Sequence, residues 1–423
     1  MPAKPHQPKH AAQPGLLNAR EACEILCIKQ ATLYTYVSRG LLKPVRPPNS
    51  NSSLYAREEV DSLQVRRSAR AGHGPAAAMA MRWGQPVLST SITELTPSGP
   101  RYRGHLAEDL TRHPGVFENV AELLWSGVLS DDRRPWHLPP VRVDVQRALD
   151  GLQNLDIRIV RVFAFTATAL GGVSLADELR SGSIPSYSHE LLLAFASASG
   201  VLGPRAQFVP PSGETHVANH LLHALGADAT EEAARAVNAA LILAADHELA
   251  TATFAARITA SVGSGLHACV VAALAAQAGS QLSGVCDSVE QLLSGIRTDA
   301  QMKSWVREAE HRRERLPGFG LALYPDGDPR SRSLIALAQR IAPASAEVTL
   351  ASELVAHVHK TLGVHADIEV GLVILCMALR LPAHSAAAIW TIGRTAGWIA
   401  HVLEQRRAGY KIRPRGHFVA QAY

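Results

Sequence analysis

Aromatic residues make up only 5% of this 423-residue chain, against 47% hydrophobic residues overall. So few rings, beside so much Ala and Leu, argue against a β-sandwich, whose strands draw on aromatic and β-branched side chains, and predict a mainly α protein. Cysteine is scarce as well. Cys23, Cys27, Cys269, Cys286 and Cys376 are odd in number and lie mostly in apolar surroundings, so they read as buried thiols of a reducing cytoplasm rather than a disulfide framework. Cys23 and Cys27 have helical spacing, but no second Cys or His pair comes at zinc-site distance after them, and no metal is expected. A membrane span is not expected either, because the apolar run Val262–Ala276 contains His267 and many small residues, as a buried helix would. Met1–Gly15 is rich in Pro, His and Lys without an apolar centre, which predicts a disordered tail over residues 1–15 and no signal peptide. Excess charge is modest: 42 Lys and Arg against 37 Asp and Glu leave +5, compatible with nucleic acid, a polyanionic cofactor or a plain solvated surface. The length holds two or three domains and a core that needs no covalent staple.

Residues 16–70 differ in kind from the remainder of the chain. Ala19–Leu26 predicts a short helix with Ala22, Ile25 and Leu26 inward, and Lys29–Ser38 a second with Leu33 and Val37 inward, ended by Gly40. A Pro- and Asn-rich loop then leads to Leu54-Tyr55 and a third helix starting near Arg57. The run Ala31–Leu42, ATLYTYVSRGLL, resembles the winged helix-turn-helix of MerR-type regulators. That resemblance implies a second helix entering the major groove of DNA with Lys29, Gln30, Thr32, Tyr36 and Arg39, and a loop bringing Arg46 toward phosphates. Two positions depart from the pattern: Cys27 stands at the tight turn where Gly is usual, and Lys29 where Ser or Thr would cap the helix. The alternative is therefore an appended fold without DNA contact. A basic, then Gly- and Ala-rich passage places a linker at residues 71–82.

The stretch Leu241–Cys286 is nearly free of charge past Arg257 and rich in small apolar residues, which predicts helices buried on all sides. His247, between Asp246 and Glu248, is either a hydrogen-bonded core histidine or a polar group aimed at a ligand. The stretch resembles the citrate synthase family, whose ADHE segment runs into an STFAAR helix and then a GPLHGGAN loop. Asp246-His247-Glu248 and Thr253–Arg257 match without a gap, whereas Gly279–Cys286 stands in place of the loop, so the family's histidine falls on Leu282; Ala250 replaces an Asn just after the first segment. Tyr102-Arg103-Gly104, Asp109-Leu110 and the helical run Phe117–Trp125 resemble signatures near the family's start, so the likeness covers about Trp83 onward. It implies a two-lobed helical fold over residues 83–423, with short strands near Trp83–Val87 and Ser91–Thr93 and a smaller lobe over about 284–364.

For the site, the resemblance implies a keto dicarboxylate, oxaloacetate, gripped by one histidine and several arginines, because carboxylates favour planar bidentate cationic partners. The matching positions are His247, Arg330 in GDPR, Arg394 in TIGRTAGW, and Arg413 in KIRPRG, which the family supplies across a dimer interface; a homodimer is therefore expected. The family's reaction is a Claisen condensation in which a carboxylate takes a methyl proton from acetyl-CoA. Asp367, in HADIEVG, keeps that base, whereas the two histidines that manage oxygen charge fall on Leu282 and Leu321. Each lost donor is worth about 100- to 1000-fold in rate. His365 is a candidate for a relocated catalytic histidine, with a loop histidine as the alternative. Arg312, Arg313 and Arg315, ahead of the loop carrying Gly318 and Gly320, would meet coenzyme A phosphates or else form a solvated helix face. The expectation is a cytoplasmic protein with acyl-CoA as cosubstrate and no permanently bound cofactor. Its condensation, giving citrate or an alkylcitrate, would be impaired or altered; the alternative is a non-catalytic carboxylate-sensing regulator.

Overall fold

In the computed structural model the described residues are 16–26, 28–38, 41–45, 53–57, 59–60, 63, 88–113, 115–136, 146, 158–172, 174–182, 184–211, 213–279, 284–312 and 315–413. The expected tail at 1–15, the linker at 71–82, the strand at Trp83–Val87, and Cys27, Arg39, Arg46, Leu282 and Arg313 lie outside them. Contacts divide the chain into two units, Met1–Ser89 and Thr90–Tyr423.

In the first unit, strand β1 (Leu16–Asn18) runs directly into α1 (Ala19–Leu26), followed by α2 (Gln30–Ser38), β2 (Pro44–Val45) and β3 (Leu54–Ala56). The three strands form an antiparallel sheet in the order β1-β3-β2. Asn18 starts α1 with a capping box: its Oδ1 accepts from the Arg20 and Glu21 N–H groups while Glu21 Oε2 accepts from Asn18 N–H at 2.8 Å. Leu17, Ala22, Leu26, Leu33, Leu42, Tyr55, Val60 and Leu63 make the core of this unit. Ile25 and Val37, expected inward, are only partly buried. Lys29 and Gln30 are exposed, and Thr32 and Tyr36 are half-buried.

The second unit is mainly helical. It opens with an antiparallel sheet of β4 (Thr93–Thr96), β5 (Gly99–Tyr102) and β6 (His105–Leu106). The first of these begins two residues later than the expected strand at Ser91. Helices that position the site are α3 (Phe117–Ser126), α4 (Ile159–Leu170), α5 (Glu231–Ala244), α6 (Thr251–Ser261), α7 (Leu266–Gln277), α8 (Val285–Gly295), α9 (Asp299–Arg312), α10 (Pro329–Ile341), α11 (Ala346–Leu362), α12 (Ile368–Ala378) and α13 (Ser385–Ala408). α12 is apolar around most of its circumference and sits inside the core, as such helices must. α13, 24 residues long, crosses the unit and is buried along most of its length.

Small residues let α13 approach α5 and the turn after it. A Cβ on Gly393 would stand 2.6 Å from the Leu241 carbonyl oxygen, and one on Gly397 would collide with Asp246 Oδ1 and the Ala245 carbonyl. Gly397 N–H in turn donates to Ala245 O at 3.0 Å. The expectation that α6 and α7 are buried on all sides needs correction. Within one chain Ile258 and Val262 are 37% and 57% exposed, because α6 packs against α7 and α13 and leaves its far side open. Among the described residues no helix is long and apolar enough to cross a membrane.

Gly397→Ala is expected to destabilise the protein by about 3 kcal/mol, the upper end of overpacking costs, because the obstructing atoms include backbone. A denaturant midpoint shift of that size, against a smaller one for Gly295→Ala, where the added methyl meets nothing within 4 Å and the backbone is not left-handed, checks it.

Candidate active site

The turn after α5 carries Asp246, His247 and Glu248, and three contacts hold it. The buried Tyr102 hydroxyl lies 3.0–3.3 Å from the Ile242, Leu243 and Asp246 carbonyl oxygens. Asp246 Oδ2 pairs at 3.3 Å with His401 Nε2 on α13, and the buried Arg257 guanidinium, bonded to Gln405 Oε1 and Glu404 Oε2, backs His401. Burial pushes the Asp246 pKa up, but His401 and Arg394 outweigh it, so Asp246 stays ionised as an anchor. Glu248 takes φ +59, a left-handed conformation that costs a non-glycine residue about 1–2 kcal/mol. The strain sits in the residue next to His247.

Opposite this turn, Asp328 caps α10 and organises a second segment. Its Oδ1 accepts from Arg330 N–H at 3.0 Å and from Arg330 Nε at 3.0 Å, and its Oδ2 accepts from Arg330 Nη2 at 2.8 Å and from Ile368 N–H at 3.1 Å. Pro329 at the first helical position leaves no unused donor there. One carboxylate thus fixes the Arg330 guanidinium in a buried fork and ties the start of α12 to the start of α10. Burial alone would lower the Arg330 pKa, yet Asp328 raises it, so the cation is permanent. Its Nη1 is a buried donor with no partner among the described residues.

These two segments meet through Tyr324, whose hydroxyl shares a 3.1 Å hydrogen bond with His247 Nε2 and whose ring lies 5.6 Å from Arg330 Cζ. Arg394, on α13, donates its Nε to the Ala244 carbonyl at 3.0 Å and stacks over Trp390 at 4.5 Å. Burial, with Arg330 and Arg394 beside it, holds the His247 pKa well below the usual histidine value, so the ring is a neutral hydrogen-bonding group at pH 7. Tyr324 thus joins His247 to Arg330, and both Arg330 and Arg394 lie close enough to His247 to act on its charge. Arg413 is exposed on the segment after α13, where Ile412 N–H donates to Ser261 Oγ at 3.1 Å.

Asp367 sits at the N-terminus of α12, and a short antiparallel pairing delivers Leu321 to it. Phe319 bridges Ala366, Gly320 N–H donates to His365 O at 2.9 Å, and Asp367 N–H donates to Gly318 O at 2.8 Å. Gly318 holds φ +76 with Val289 and Val370 where a side chain would go, so glycine is required there. Leu321 thus offers Asp367 a backbone N–H at 3.0 Å from Oδ1, while its side chain brings no donor. Burial pushes the Asp367 pKa up to about 7, with the Glu369 and Asp328 charges adding to the rise and the Leu321 bond and Arg330 opposing it. The ring of His365 stacks on His359 at 4.1 Å and flanks Gly327. Arg312, at the end of α9, pairs with Glu308 at 3.0 Å on a solvated face, and Arg315 is exposed.

Sequence reading missed Tyr324, Trp390, Asp328 and Tyr102 as parts of the site. Tyr324 and Asp328 stand inside the run Gly318–Arg330, Trp390 immediately precedes TIGRTAGW, and the Asp-Pro-Arg order of 328–330 is itself a helix-start signal. Among the described residues Asp287, Glu290 and His384 bring metal-ligand groups together on the surface, where His384 N–H and Nδ1 already bond the two carboxylates.

A carboxyl whose folded pKa lies near 7, against an ordinary value near 3.8, is favoured when protonated in the fold. Its ionisation therefore removes stability as pH rises from about 4 to about 7, and the loss levels off above that. Asp367→Asn, which cannot ionise, is expected to gain on the order of 2–4 kcal/mol over wild type between pH 4 and pH 8, measured by denaturant unfolding at both values.

The sequence profile of the citrate synthase C-terminal domain matches residues 80–415. A citrate synthase 2-type chain of Mycobacterium tuberculosis is 30% identical over 351 residues, covering 79% of this chain and 91% of that one. The 2-methylcitrate synthase of Shewanella oneidensis is 27% identical over 357 residues, 79% of this chain and 92% of its own. Among solved structures, citrate synthase of Thermoplasma acidophilum, in a ternary complex with carboxymethyl coenzyme A and oxaloacetate, superposes with a TM-score of 0.69 at 22% identity, over 80% of this chain and 95% of that one. The second unit has the mainly helical citrate synthase fold, and the chain belongs to the citrate synthase family.

Proposed function

We propose that this chain binds oxaloacetate or a closely related keto dicarboxylate and condenses it with an acyl-CoA, forming citrate or an alkylcitrate at a reduced rate. The observation that carries this reading is the buried Nη1 of Arg330, unpartnered among the described residues and held beside neutral His247 by a carboxylate that occupies the rest of the guanidinium. A buried cationic donor left over in this way matches a carboxylate ligand. Arg394 supplies a second cation, and Asp367 the base that removes the acyl methyl proton. A carboxyl titrating near 7 is well matched to that task at neutral pH. The open face at Ile258 and Val262 supports a homodimer, in which the partner's arm would contribute the arginine that Arg413 represents.

A second reading is favoured by Leu321, which puts an apolar side chain next to Asp367 where the family's histidine would donate. In it the site binds the carboxylate without turnover, and closure of residues 284–364 is passed to the N-terminal unit. Two helices on a small three-stranded sheet support a winged helix-turn-helix there, with Lys29 and Gln30 offered to DNA.

Coenzyme A thiol release with oxaloacetate and acetyl-CoA or propionyl-CoA separates the two. Condensation predicts release above the uncatalysed rate, abolished by Asp367→Asn; a chain that releases no thiol is the regulator instead. The double variant Leu282→His, Leu321→His is expected to raise turnover by about 100-fold or more, since each restored oxygen-charge donor is worth about 100- to 1000-fold.

A further inference from the structure

Leu321 and Tyr324 form the two ends of one turn. Leu321 N–H donates to Asp367 Oδ1 at 3.0 Å, and Tyr324 N–H donates to the Leu321 carbonyl at 3.0 Å. A second turn follows at once, in which Gly327 N–H donates to the Tyr324 carbonyl at 2.9 Å. Tyr324 therefore stands where two hydrogen-bonded turns join, with both of its backbone groups used and its side chain buried. The Cα atoms at the two ends of such a turn lie within about 7 Å of each other, so Tyr324 is anchored a short step from the residue bonded to Asp367. Its hydroxyl lies 3.1 Å from His247 Nε2, and its ring 5.6 Å from Arg330 Cζ. One side chain thus touches the histidine and faces the guanidinium of the proposed carboxylate site, from a turn whose first residue holds the proposed base. Burial keeps the phenol protonated at neutral pH, pushing its pKa up to about 12 although the Arg330 and Arg394 charges pull the other way. Burial and the same two cations keep His247 neutral. A neutral imidazole has one N–H, and a keto dicarboxylate dianion offers acceptors only.

We propose that the Tyr324 hydroxyl donates to the keto oxygen of the bound dicarboxylate and protonates that oxygen as the new carbon–carbon bond forms. The inference deepens the condensation reading above and rests on it. Because the ligand has only acceptors, the His247 proton lies on Nε2 and is donated to the Tyr324 oxygen, which leaves the phenolic proton for the ligand. In the reaction the Asp367 carboxylate takes a proton from the acyl methyl group, breaking the C–H bond and leaving its electron pair on the enolate. The enolate carbon attacks the keto carbon, the C–C bond forms, and the carbonyl π pair moves onto the keto oxygen. That oxygen takes the Tyr324 proton, since an alkoxide is a stronger base than a phenolate. His247 Nε2–H and the Arg330 cation stabilise the tyrosinate so formed. Asp367 then gives its proton to solvent and the tyrosinate takes one from solvent, so both groups end as they began and no oxidant or reductant is consumed. Hydrolysis of the product thioester by water releases the coenzyme A thiol. A phenol on the same turn thereby makes the donation that the Leu321 side chain cannot.

Succinate has both carboxylates of oxaloacetate and no keto oxygen, so the two ligands isolate this hydrogen bond. Calorimetric titration of the wild-type chain is expected to show oxaloacetate bound about tenfold more tightly than succinate, the worth of one such bond. Tyr324→Phe keeps the ring beside Arg330 and removes only the hydroxyl. It is expected to bind the two ligands equally, with succinate affinity unchanged, and to lower kcat for thiol release about 100-fold or more. Tyr324→Met, which fills the space without a hydroxyl, takes its place in both measurements if Tyr324→Phe does not fold. A hydroxyl-free variant that keeps the wild-type preference for oxaloacetate, or the wild-type kcat, would overturn the role of Tyr324 and leave the condensation reading standing. Equal wild-type affinities for the two ligands would overturn it as well. A wild-type chain that releases no thiol, but whose preference for oxaloacetate disappears in Tyr324→Phe, would overturn the condensation reading and the proton transfer while supporting the contact of Tyr324 with the keto group. Binding of neither ligand would overturn the site and this inference together.

Discussion

The buried pair of Asp328 and Arg330 is the interaction on which the site depends. A carboxylate with four hydrogen bonds caps α10, immobilises a guanidinium in a two-pronged contact and receives the Ile368 N–H at the start of α12. An ion pair buried this deeply repays its desolvation only with good geometry and satisfied lone pairs. Asp328 has both. Arg330 has one nitrogen unspent among the described residues. That asymmetry is easier to understand as preparation for an anion than as a stabilising device, since an apolar pair would serve packing as well.

Around this pair the rest of the site is built by close packing. Gly393 and Gly397 bring α13 against the end of α5, which puts Arg394 over Trp390 and Asp246 against His401. Tyr102 gathers the carbonyls at the end of α5, so the His247 turn starts from a fixed point. The strained φ of Glu248 is supported by those contacts. The polar groups left facing the site are then a small set: neutral His247, the Arg330 and Arg394 guanidiniums and a carboxyl pushed up to about 7.

Much of this was legible in the sequence because the residues stand in short motifs with a local mechanism. His247, Arg330 and Arg394 stand out by resemblance alone, and the helical composition, the helix over 19–26 and the helical run over 117–125 could be read from composition, spacing and resemblance. Tyr324 and Trp390 could not, because what matters is a side chain meeting a residue far away in the chain, as Tyr324 meets His247 and Glu404 meets Arg257. The buried character assigned to α6 from its composition also proved one-sided, since composition does not reveal which face a single chain leaves open.

A cationic pocket prepared in this way should select a second carboxylate. Calorimetric titration of the wild-type protein with oxaloacetate, repeated with pyruvate, which has one carboxylate fewer, tests that selection without altering the fold. One saturable site per chain is predicted, with oxaloacetate bound about 10- to 100-fold more tightly than pyruvate, the difference that a charge-assisted hydrogen-bond set supplies. Equal affinities, or no saturable heat with oxaloacetate, would contradict the account.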